Sequence, residues 1–119
     1  IYLGTYKRLD GSEVKGPSVS DLVQAANPAV DAKIRAAIGV TMDRMTELKT
    51  RAETIEAYDQ MIGEDNPEGN AVVQSVIDAL AAQARTFEEA IALLKIDGVA
   101  ILGSDSLDAP EKVTGEDKG

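Results

Sequence analysis

Mostly apolar side chains recur at Val30, Ile34, Ala37, Thr41, Met45, Leu48, Ala52 and Ile55, three or four residues apart. This is the period of a helix with one buried stripe. Lys33, Arg35, Asp43, Arg44, Glu47 and Lys49 lie largely off the stripe, and the pattern predicts a helix over about 28–53. From Pro28 to Ala52 it would run roughly 37 Å at 1.5 Å per residue. Gly39 inside it costs about 1 kcal/mol relative to Ala, which points to close packing at that position. A second stripe, Val73, Val76/Ile77, Leu80, Ala84, Phe87, Ile91 and Leu94, predicts a helix over about 67–95. Lys95 suits its last turn, and Gly98 just beyond suits its stop.

The boundaries carry their own signals. Asn27-Pro28 and Asn66-Pro67 each read as a cap followed by proline at the first helical position. Ser18 followed by Asp21 resembles a capping box opening a short helix over about 19–26. Ile55, Tyr58, Met61 and Ile62 form a small apolar cluster, read as a turn or two of helix before Gly63. Residues 1–15 read as a β-hairpin. Asp10-Gly11 fits a type I′ turn, and Tyr2, Tyr6 and Val14 supply β-favouring flanks. An isolated hairpin is marginal in water, so this one is expected to lie on the helices. In residues 97–119, Ser, Asp, Gly, Pro, Glu and Lys dominate apart from Val99-Ala-Ile-Leu102, and they read as an extended tail that pins one apolar patch. The fold class predicted is all-α, half of an antiparallel helical bundle, with an N-terminal hairpin and a C-terminal tail. The lobe spans 1–96.

Two long helices cover only one flank of each other's stripe. Ile38, Met42 and Val72 would stay wet, so a covering partner is expected, either more of the same polypeptide or an oligomer mate. The chain begins at Ile1 rather than Met, which favours the former; such a start reads as processing, cleavage or one end of a longer polypeptide, with targeting information missing.

Composition excludes several chemistries. A formal charge of −9, from 21 acidic and 12 basic side chains in 119 residues, argues against a nucleic-acid surface. With no Cys and no His, thiolate or imidazole metal sites and Ser-His-Asp triads cannot form within this chain. No apolar run approaches the ~20 residues that span a bilayer. The carboxylate pairs Glu88-Glu89, Asp43/Glu47 and Glu64-Asp65 lack a partner that would make them a specific acid–base device. Glu53 and Glu56 lack the Glu-x-x-His partner of a carboxylate-bridged metal bundle. Met42, Met45 and Met61 read as packing rather than a copper site.

Four strings in order carry a family resemblance. Tyr2 through Val23, with Gly16-Pro17-Ser18 followed by Asp21-Leu22, resembles the second-half hairpin and helix start of imelysin-like proteins. Tyr58-Asp59-Gln60-Met61-Ile62 resembles that family's aromatic-Asp-x-x-Ile segment. Asn70 through Gln83 resembles its last long helix, and Gly103 through Pro110 its C-terminal tail. The resemblance implies the C-terminal helical lobe of a two-lobed bacterial protein, exported to the periplasm or outer membrane and iron-regulated. A membrane attachment would run through an N-terminal lipid anchor. Its partner would be the N-terminal half of the same protein, covalent or cleaved. The family is classed with metallopeptidases through a Gly-x-His-x-x-Glu motif in that half; this chain, lacking His, holds no cofactor of its own, and iron or zinc would belong to the intact protein.

Matched onto the strings, the candidate site residues are Tyr6, Ser18, Asp21, Asp59 and Gln83. Ser18 and Asp21 either face an anion at a helix N-terminus or simply cap the helix. Tyr6 either offers its hydroxyl to a cleft between lobes or lies on the bundle. Asp59 either orients a metal-bound His from outside the coordination sphere or satisfies a loop. Gln83 beside the last helix's stripe needs a polar partner, from a ligand or from the protein. The implied function is to bind a metal or small ligand between two helical lobes, linked to iron uptake. The alternatives are the wall of a peptidase cleft or a non-catalytic helical interaction module.

Overall fold

A computed structural model describes residues 1–96. The tail from 97 onward, including the expected Gly98 stop, lies outside the described residues. The elements run β1 (Thr5–Lys7), β2 (Glu13–Lys15), α1 (Val19–Ala26), α2 (Pro28–Thr54), α3 (Tyr58–Met61) and α4 (Pro67–Leu93). The all-helical half-bundle with an N-terminal hairpin is thus present.

α2 and α4 are antiparallel neighbours. Lys33 pairs with Glu89 near one end, Thr41 Oγ1 donates to Ala79 O at 3.3 Å in the middle, and Arg51 reaches Glu68 at 3.5 Å near the other end. The asparagine caps form as their spacing requires. Asn27 Oδ1 accepts from Ala29 N and Val30 N, and Asn66 Oδ1 accepts from Gly69 N at 2.9 Å.

The main core sits at one end of the pair, where the N-terminal segment and α1 meet the start of α2 and the end of α4. Tyr2, Val23, Ile34 and Ala90 are buried there, with Leu3, Val30, Ile38, Phe87, Leu93 and Leu94 packed around them. Tyr2 and Phe87 meet edge to face with ring centroids 5.2 Å apart. At the opposite end Met61 is fully buried against Gly69, where an added Cβ would come within 2.7 Å of the Met61 Cα. Asn70 Nδ2 donates to the carbonyls of Met61, Gly63 and Asn66, so the α3 connection is wired to α4 by backbone acceptors.

Five expectations are corrected. The hairpin turn is not type I′. Gly11 N donates to Arg8 O and Arg8 N to Ser12 O, and of the loop residues Leu9, Asp10 and Gly11 only Gly11 has positive φ, at 86°. The loop is therefore a type I turn closed by a left-handed glycine, a three-residue connection that Asp10 favours by accepting from Ser12 N and Oγ. Nor do the strands lie on the helices; all six strand residues are exposed, Tyr6 among them at 64%. The α4 contact stripe is rotated in part from the predicted one: Val76 is buried and Phe87 and Leu94 pack on the core as expected, but Ala79, Thr86 and Ala90 are buried while Leu80 is 41% exposed. Small residues face α2 because the Thr41–Ala79 contact needs a close approach. Gly39 has open space around it rather than close packing.

The fifth correction concerns how α4 stops. It ends at Leu93, and Lys95 takes the left-handed position, with φ 52°. Ile96 N donates to Ile91 O and Lys95 N to Ala92 O, the paired bonds of a Schellman motif.

Candidate functional site

The densest polar constellation joins four residues from α1, α2 and the N-terminal segment, beginning with Asp31. It lies in the first turn of α2, and Arg35 follows one turn later on the same face. α1 packs against α2, and Ser20, in its first turn, is fully buried there. The N-terminal segment is tied to α1 by Ser20 N donating to Tyr2 O at 3.1 Å, which carries the Tyr2 phenol to the same point.

The side chains close a ring of hydrogen bonds. Asp31 Oδ1 accepts from the Tyr2 hydroxyl at 2.8 Å and from Ser20 Oγ at 2.5 Å. Asp31 Oδ2 accepts from Arg35 Nε at 2.7 Å, and Ser20 Oγ accepts from Arg35 Nη2 at 2.6 Å. Asp31 is 2% exposed and Ser20 0%, whereas the Arg35 side chain is 45% exposed. A carboxylate at that depth would be costly unpaired; here the partners satisfy it.

Electrostatics follow from that geometry. Burial works to raise the Asp31 carboxyl, but hydrogen bonds from Ser20, Arg35 and Tyr2, with the Arg35 charge, outweigh it and hold the group below the ordinary carboxylate value. Burial first, then the hydrogen bond and charge of Asp31, push the Tyr2 phenol up to about 12. Both oxygens of Asp31 are engaged and its charge is matched, so it is poorly placed to act as a base. What the ring does is fix a guanidinium at the surface, one edge committed to Asp31 and Ser20.

The five residues expected from the sequence are dispersed. Ser18 and Asp21 bond each other: Ser18 N donates to Asp21 Oδ2 at 2.9 Å and Asp21 N to Ser18 Oγ at 3.1 Å. Their polar atoms thus build the α1 cap. Tyr6 stands on the exposed hairpin, and Asp59 is exposed in the first turn of α3. Gln83 is half-buried on α4, where its backbone carbonyl accepts from Thr86 Oγ1 at 2.7 Å. Glu56 is engaged by Arg51 at 2.6 Å and Asn66 at 2.5 Å; the hydrogen bond to Glu56, then the Glu56 charge and Glu68, keep the Arg51 guanidinium above its usual value against partial burial.

The sequence reading missed Tyr2, Ser20, Asp31 and Arg35 as a group. The signal within reach was Asp31–Arg35 at four-residue helical spacing; Ser20 and Tyr2 join only through tertiary packing. Among the described residues no group of three or more Asp or Glu side chains is placed to hold a metal ion.

The domain is thus an antiparallel helical pair with an N-terminal ribbon, in which a buried carboxylate holds a surface guanidinium. Residues 1–87, from the ribbon through most of α4, match the model of the imelysin family, which carries a peptidase designation. The chain belongs to the imelysin family. No curated protein matches it.

Proposed function

We propose that this chain is the second helical lobe of an exported, iron-regulated imelysin-family protein, binding a metal or small ligand between two lobes and serving iron uptake. The observation that carries the reading is the family match over residues 1–87 in a chain with no His. A family metal motif of the form Gly-x-His-x-x-Glu would have to come from the other lobe. This lobe would complete the site by shape and by fixed polar groups, Arg35 foremost, and the exposed Val40, Met42 and Leu80 supply apolar surface for the first lobe to cover. Export to the periplasm or outer membrane, with an N-terminal lipid anchor, belongs to the same proposal.

The test is metal analysis of the intact protein purified from iron-limited cells. The expected result is bound iron or zinc that is lost when the motif histidine is substituted. Metal-free protein that also gains none on titration with either ion overturns the metal reading.

The peptidase designation of the family supports a second reading, in which this lobe walls a metallopeptidase cleft. Cleavage of unfolded polypeptide by the intact protein, abolished by chelator, is its expected signature; no chelator-sensitive cleavage ends it. A non-catalytic helical interaction module is the third, and it is favoured if the intact protein binds neither metal nor peptide.

A further inference from the structure

A surface arginine ordinarily loses rotamer freedom when it grips a ligand. Arg35 has given that freedom up already. Its Nε is fixed on Asp31 Oδ2 and its Nη2 on Ser20 Oγ. Those two residues are 2% and 0% exposed, so buried groups set the plane of the guanidinium. Nε–H and one Nη2–H make up the side edge of the fork. The end edge remains: Nη1 and the second Nη2 hydrogen present two parallel donors, with no acceptor among the described residues, on a side chain 45% exposed.

Two parallel N–H donors in one plane match the oxygens of a carboxylate or a phosphate. Charge chooses between them. Asp31 sits against the guanidinium at 2.7 Å, and the chain carries a net −9, so the site offers geometry rather than a strong positive field. A phosphate dianion gains less there than a singly charged carboxylate. Gly39 supplies the room. It stands one turn after Arg35 on the same face of α2, and a helical side chain leans toward the N-terminus over the residue four before it. A larger residue at 39 would cover the Arg35 patch; glycine leaves it open, with nothing within 4 Å of where a Cβ would be. We infer that Arg35 is a carboxylate-binding site, its outer fork taking both oxygens, with Asp31 and Ser20 as positioning residues and Gly39 as the opening. This deepens the two-lobe reading by naming what Arg35 holds: the carboxylate of a free organic acid, or of an Asp or Glu on the other lobe.

Acetate titration at constant ionic strength, followed by NMR of the arginine Nη–H groups and the Ser20 amide, tests it. In this chain acetate should shift those signals saturably, and chloride and phosphate should not. Arg35→Lys keeps the charge but lacks the fork, and Gly39→Leu covers the patch while favouring the helix. Each should weaken acetate binding about tenfold. Repeating the titration on the intact protein separates the two sources. A shift retained there marks a free acid; a shift lost, with the Arg35 Nη signals already resolved without acetate, marks a carboxylate of the other lobe. No saturable shift in this chain, an equal response to chloride or phosphate, or unchanged acetate binding in either variant overturns the carboxylate site. No metal enters the test, so its failure and that of the metal reading are told apart.

Discussion

Asp31 and Tyr2 make the stability of the domain depend on pH at both extremes. The folded Asp31 carboxyl lies below its ordinary value. Its contribution is therefore complete above about pH 4, the value in unfolded chain, and is lost as pH falls through the lower folded value. Tyr2 is raised from 10.0 to about 12; its contribution is complete below about pH 10 and lost as pH rises through 12. Urea titrations across pH should show both limbs. Asp31→Asn should flatten the acid limb and cost about 2 kcal/mol at neutral pH. Tyr2→Phe should flatten the alkaline limb and remove one late-titrating phenol from the ultraviolet absorbance of the three. Lys95 offers the opposite case: its φ of 52° is strained for a residue with a Cβ. Lys95→Gly should raise stability by about 1 kcal/mol in thermal unfolding.

Two glycines in the long helices should respond to one substitution with opposite signs. Gly39 has open space where a Cβ would go, so Gly39→Ala should stabilise α2 by about 1 kcal/mol through helix propensity. Gly69 would place a Cβ 2.7 Å from the Met61 Cα, so Gly69→Ala should force α3 off α4. It should cost about 1–3 kcal/mol as overpacking does, and denaturant midpoints read both.

At this scale the sequence was most informative. Asn-Pro caps and three-four spacing located both long helices because those signals act through neighbouring residues. The rotation of the α4 stripe was not legible, since which of Ala79 or Leu80 faces α2 is decided by how closely the partner helix approaches. The Asp31 ring was hidden for a related reason, as Tyr2 stands 29 residues from its acceptor. The Lys95 stop was hidden because a left-handed C-terminal residue is usually announced by Gly or Asn.

In the whole molecule the burial is lopsided. Met61 is fully buried, whereas Met42 is 59% exposed and Met45 39%. Dilute peroxide followed by peptide mapping should oxidise Met42 first, then Met45, with Met61 last. The proposed two-lobe arrangement adds a sharper expectation: in the intact protein Met42 should be protected several-fold relative to this chain alone. Equal rates in both would argue that nothing covers that face.

The ribbon of β1 and β2 has a further consequence for behaviour in solution. A two-stranded sheet leaves one unpaired edge on each strand, and every strand residue here is exposed. Such edges can recruit each other between molecules. Lys7 and Lys15 sit on the two strands among Thr5, Tyr6, Glu13 and Val14, so docking a second ribbon would crowd ammonium groups together. The ribbon is a self-association hazard held in check by charge, and neutralising those two lysines would make concentrated solutions of this protein gel or cloud sooner.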